Sequence, residues 1–123
     1  MRRVVVTGMG LITPLGCSVE TNWKKLISGQ SGIKPISHFN IEDLPSKIAG
    51  IVPDSTIDEN FAEKDKRKMD NFILFALIAS DEAIENSGYV PKNELESSRT
   101  GVIIGSGIGG LSTIYNNSIL LNS

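Results

Sequence analysis

Residues 66–87 run without a proline or a glycine, and their middle, Phe72-Ile73-Leu74-Phe75-Ala76-Leu77-Ile78-Ala79, is apolar in every direction. Met69, Phe72, Ile73, Ala76, Ala79, Ala83 and Ile84 fall at helical spacing, Gly88 follows as a stop, and Pro91 lies beyond. A surface helix needs one apolar stripe, whereas a helix apolar all round has to be covered on all sides. That demands layers, and 123 residues leave few elements to supply them. A chain of this size buries roughly two-thirds of its unfolded surface, enough for one modest core. Apolar patches beyond a few hundred Å² are unusual in monomers, so self-association, by exchange of the terminal helix, is expected.

The remaining elements are shorter. Val4-Val5-Val6-Thr7 is a β-branched run that reads as a buried strand, and Gly8-Met9-Gly10 and Pro14-Leu15-Gly16 make the loop after it. Ser18 is suited to cap a helix over 19–28, with Val19, Trp23, Leu26 and Ile27 as its buried stripe. Residues 30–45 read mostly as loop, 48–52 as a short strand and 54–63 as a polar, turn-rich stretch. Val102-Ile103-Ile104 makes another continuous apolar strand, then comes a glycine-rich turn and a helix over 111–121. Strands thus alternate with helices. The fold class is α/β, with a largely buried sheet covered by helices.

Charge and cysteine content exclude several functions. A net charge of −2 argues against nucleic-acid binding, which normally shows a basic excess. One cysteine and one histidine build neither a disulfide framework nor a zinc site of the usual kind. Arg2-Arg3 before an apolar run has the look of an export signal, but Gly8, Gly10, Thr13 and Pro14 interrupt it. No stretch approaches the ~20 apolar residues of a membrane span, so the expected location is the cytoplasm.

Gly105-Ser106-Gly107-Ile108-Gly109-Gly110 spells G-x-G-x-x-G between a strand and a helix, the setting of a dinucleotide fingerprint. Such a fingerprint wants an acidic residue ~20 positions on, and no acidic residue follows Gly110. Gly8-Met9-Gly10 carries Thr13 where a third small residue should stand. Nucleotide binding is therefore the weakest of the functional readings. The alternative is that these glycines let the backbone turn tightly.

A wider pattern takes in both loops. Arg3-Val4-Val5-Val6-Thr7-Gly8-Met9-Gly10, Thr13-Pro14-Leu15-Gly16, Trp23, Gly29-Gln30-Ser31-Gly32-Ile33, His38-Phe39, Arg67-Lys68-Met69-Asp70, Arg99-Thr100-Gly101 and Ile104-Gly105-Ser106-Gly107-Ile108-Gly109-Gly110-Leu111 are collinear blocks. Together they resemble the opening of the β-ketoacyl-acyl-carrier-protein synthases, most closely the type II elongating synthases of bacterial fatty-acid synthesis. Residues 1–123 resemble the N-terminal third of such an enzyme, a partial N-terminal domain of thiolase-like fold. The resemblance implies a homodimeric acyltransferase without metal or organic cofactor. A cysteine thiolate takes an acyl group from acyl carrier protein, malonyl-acyl carrier protein loses carbon dioxide, and the carbanion attacks the thioester. It also implies that the nucleophilic cysteine and both catalytic histidines lie beyond this stretch, so no catalytic residue is expected here and the chain alone should be inactive.

Cys17 and His38 do not match the family's catalytic motifs. Cys17 stands before a helix N-terminus, where a thiol can be acidified, but a small buried or loop role is expected. A structural hydrogen-bonding role is expected of His38. By resemblance, Lys64, Arg67 and Lys68 are the docking cations for acyl carrier protein, whose acidity they would steer. Placed at a helix N-terminus, such cations would each cost about 0.3–1 kcal/mol, which favours a function over a merely solvated cluster. Gly107 and Ile108 match positions lining the acyl-chain pocket; otherwise Ile108 caps the core from a turn. Three readings remain: a synthase fragment that docks acyl carrier protein, a non-enzymatic remnant that oligomerises or binds the carrier, and a nucleotide-binding domain.

Overall fold

The structure, a computed structural model, describes residues 2–122. In chain order the elements are β1 (Ile12–Thr13), β2 (Gly16–Cys17), α1 (Val19–Ile27), β3 (Ile33–Pro35), β4 (Ile48–Gly50), α2 (Asp54–Asn60), α3 (Glu63–Lys66), α4 (Asn71–Ser87), α5 (Glu94–Ser98) and α6 (Leu111–Leu121). β1 pairs with β2 and β3 with β4, both antiparallel, as two separate two-stranded sheets. In β1–β2, Ile12 faces Cys17 and Thr13 faces Gly16.

The core lies where α2 and β1 pack against α4. Leu74 is 1% exposed, and Ile78 one turn on and Ile57 of α2 are also buried. The α4 backbone begins at Asn71 rather than near residue 66, because Asp70 takes an extended conformation and its carbonyl accepts the first bonds, from Ile73 and Leu74. Gly88 ends it in the left-handed conformation (φ 62°).

Several further sequence expectations change. Residues 4–6 and 102–104 form no ladder, and Val4 and Ile103 are 93% and 95% exposed. A β-branched run becomes a strand only when a neighbour satisfies its peptide groups. Among the described residues neither run has that neighbour, so the largely buried sheet is absent from this part of the fold. Residues 54–60 are helical rather than turn-rich. Helix α5 was missed too, although Asn93 accepts from the Glu96 amide while Glu96 accepts from the Lys92 amide, an N-x-x-E capping signal legible in the sequence.

Helix α1 occupies its expected place but buries the opposite kind of residue. Its buried side chain is Asn22, while Trp23, Leu26 and Ile27 are exposed. The Asn22 amide donates to the carbonyls of Gly16 (2.9 Å) and Ser18 (2.7 Å), and its oxygen bonds the Thr13 hydroxyl, which in turn accepts from the Leu15 amide (3.0 Å). These bonds pull α1 polar side down onto the Thr13-Pro14-Leu15-Gly16 turn. Ser18 caps α1 as expected, its hydroxyl accepting from the Thr21 amide at 3.2 Å.

Candidate functional site

The N-terminal segment is held to α4 by side chains instead of a β-ladder. Glu82 accepts from the amides of Leu11 and Val19, both at 2.8 Å, and Asn86 accepts from the Met9 amide at 3.2 Å. Gly8 and Gly10 lie against the carbonyl oxygens of Ala83 and Ala79, and a Cβ at either glycine would overlap them. The first glycine loop is thus a close-packing device. A groove of about 470 Å³ separates Gly10 from Ile103, Ile104 and Gly105 over Ala76 and Ala79.

The second glycine loop meets the start of α4. Gly109 is left-handed (φ 78°), its amide donates to the Ser106 hydroxyl at 3.1 Å, and the Phe72 ring lies beside it. The Asp70 carboxylate sits so close to Gly110 that a Cβ there would overlap it. At Gly107 a Cβ would meet nothing within 4 Å. Turn geometry and close approach therefore require glycine at 109 and 110. The strand that a dinucleotide fingerprint needs before the loop is not formed. Ile108 stands 73% exposed, so it does not cap the core.

Lys64, Arg67 and Lys68 are exposed, and none of them makes an ion pair among the described residues. Lys66 differs. It pairs with Asp58 at 2.5 Å and with Glu63, only 17% of its side chain is exposed, and these carboxylates, Asp58 foremost, push its pKa up. The expected cost of cations in the first turn of a helix does not apply. Lys64 and Lys66 occupy the last turn of the separate helix α3, Arg67 is its C-cap, and positive charge at a helix C-terminus is favourable. The argument from helix-dipole cost therefore falls, and the claim of the patch to function rests on its exposure and place.

That place is informative. Asp70, two residues after Lys68, touches Gly110, two residues after Ile108. The segments that carry the two groups of residues singled out in the sequence thus meet, through Asp70 and Gly110, at the N-terminal end of α4. Cys17 and His38 do not join them. Cys17 lies in β2, and partial burial, then Glu82 and Glu59, push its thiol pKa up, opposite to the acidification a helix N-terminus can give. The His38 ring packs edge-on against Phe39 (4.6 Å, 87°), and the expected hydrogen bond is not formed among the described residues. Among the described residues no cluster of metal-ligating groups is present, and no helix is long and apolar enough to cross a membrane.

Residues 1–123 match the family model described as the N-terminal domain of β-ketoacyl synthase. The chain belongs to the β-ketoacyl synthase family. It is 43% identical over 121 residues to 3-oxoacyl-[acyl-carrier-protein] synthase 2 of Rhizobium meliloti, covering 93% of this chain and 29% of that protein. The Vibrio cholerae protein of the same name is 48% identical over 113 residues, covering 92% of this chain and 27% of its own. Among solved structures, a β-ketoacyl synthase from Burkholderia phymatum superposes with TM-score 0.75 at 26% identity, over the whole of this chain and 30% of that one. The ishigamide ketosynthase/chain length factor shares the fold, with TM-score 0.71 at 24% identity, over 99% of this chain and 31% of that one. The α/β fold is therefore that of the ketosynthase N-terminal part, and the β-ketoacyl synthase chain described here spans under a third of the length of these relatives.

Proposed function

We propose that this chain is the carrier-docking part of a fatty-acid-elongating β-ketoacyl synthase. The parent activity is the decarboxylating condensation of an acyl thioester with malonyl-acyl carrier protein, in the cytoplasm. The supporting observation is the convergence at the start of α4. Asp70, which follows the three exposed cations in the chain, approaches Gly110 of the glycine loop that carries Ile108, so a carrier held by the cations would present its acyl chain toward that loop. Lys64, Arg67 and Lys68 attract the acidic carrier and set its orientation more than they add affinity. Gly107 and Ile108 form part of the acyl-chain wall.

The chain's own chemistry stops at binding. Partial burial, then Glu82 and Glu59, push the pKa of its one thiol up, and its one histidine is packed on a phenylalanine. Residues 1–123 alone therefore dock a carrier without forming an acyl-enzyme or releasing carbon dioxide from malonyl-acyl carrier protein. Titration with acyl carrier protein tests this. The double variant Arg67→Glu/Lys68→Glu should weaken binding roughly tenfold or more, as like charges replace complementary ones. An unchanged Kd would overturn the docking reading, and a covalent acyl adduct on the chain would overturn its inactivity.

A second reading, a non-enzymatic module that self-associates, draws on the surface area. The accessible surface is 10167 Å², about one and a half times the ~6,500 Å² expected of a compact chain of 13.3 kDa. Residues 4–6 and 102–104 are prominent in that surplus. Sedimentation separates the readings, since self-association without carrier binding favours the second alone.

A further inference from the structure

Helix α3 contains Lys64 and leads directly into Arg67 and Lys68, yet it has little to hold it in place. It is four residues long, buries no side chain and lacks a side-chain cap at its N-terminus. A helix of that length does not sustain itself in water. Two extended residues, Phe61 and Ala62, join it to α2. Helix α2, by contrast, is anchored in the core through Thr56 and Ile57. Asp58 is the next residue, and its carboxylate reaches Lys66 at 2.5 Å across the turn. Glu63 holds the same ammonium from within α3. Lys66 thus links the anchored helix to the free one, immediately before Arg67 and Lys68.

We infer that Asp58 is a positioning residue for carrier docking: through Lys66 it fixes the α2–α3 corner so that Lys64, Arg67 and Lys68 face one partner surface together. The inference rests on the docking reading above and adds an acidic residue to a basic site. Its sign makes it testable. Asp58→Asn removes a negative charge beside the patch, so simple charge attraction predicts tighter binding of an acidic carrier. Loss of positioning predicts weaker binding in spite of that added attraction.

The experiment is titration of the chain with acyl carrier protein in four variants, with hydrogen exchange of amides 63–68 read alongside. Asp58→Asn and Glu63→Gln should each raise the Kd roughly two- to five-fold, the range of a partly exposed ion pair, and speed exchange across α3. Asp58→Glu, which keeps the carboxylate, should restore binding. Arg67→Glu/Lys68→Glu supplies the reference loss. A tighter or unchanged Kd in Asp58→Asn, with the reference loss intact, overturns the positioning role alone. An unchanged Kd in the double variant overturns the docking reading and this inference with it. Glu63→Gln reads the same link from the other carboxylate, so an Asp58 variant that misfolds leaves the question decidable.

Discussion

The β1–β2–α1 corner and the pair of apolar runs at 4–6 and 102–104 form two opposite regions of one small chain. The corner is rich in polar residues but fully engaged: Asn22, Thr13, Ser18 and Glu82 between them tie the turn, the helix start and α4 together. The apolar runs are the most strand-like segments of the sequence, yet they stand exposed and without a ladder. Apolar character drives burial only where a covering surface exists, whereas a hydrogen-bonding side chain such as Asn22 finds its partners within nine residues. In this chain local polar geometry builds more order than hydrophobic patterning does.

Substitutions can break that contrast, the largest effect first. Leu74→Ala, at the centre of the α2–α4 contact, should cost about 2–5 kcal/mol in denaturant unfolding. Asn22→Ala should cost about 1–3 kcal/mol, because it removes the part-buried side-chain bonds to the Gly16 and Ser18 carbonyls and to the Thr13 hydroxyl; a loss below half a kcal/mol would remove the corner from its organising role. Val5→Lys or Ile103→Lys should change unfolding free energy by less than about 0.5 kcal/mol, since neither side chain is buried, while reducing self-association in sedimentation. Cys17 gives the mildest test. With its folded-state pKa raised, the thiolate fraction is smaller in the folded chain than in the unfolded one near pH 8. Alkylation by iodoacetamide should therefore be slower when folded, and its rate should still be climbing past about pH 9. Equal rates in both states would show that the site does not suppress the thiolate. By linkage, stability should fall as pH rises through the unfolded thiol pKa, because the unfolded chain loses that proton first.

Much of this was legible in the sequence, for reasons that differ by element. Ser18, Gly88 and the ends of α1 and α6 could be read because caps and stops act within one turn. The family blocks identified the ketosynthase fold and pointed to Lys64, Arg67, Lys68, Gly107 and Ile108. The break between α3 and α4 was missed because the apolar spacing continues through Met69 across it, while Asp70 and Asn71 carried the capping signal. Glu82 was missed as well. A carboxylate on a helix looks solvated until the chain 63 and 71 residues away is known to lie against it. The ion pair of Lys66 spans only eight residues, to Asp58, but it depends on the turn between α2 and α3, and in the sequence the stretch 54–63 reads as turn-rich.

Cross-linking from the two regions tests the account most directly. A photo-activatable residue is placed at Asp65, among the docking cations, or at Val5, on the bare apolar run, and each chain is irradiated with acyl carrier protein. The account predicts that Asp65 captures the carrier, in a salt-sensitive manner, and that Val5 captures a second copy of the chain. Carrier captured from Val5 and not from Asp65 would contradict it.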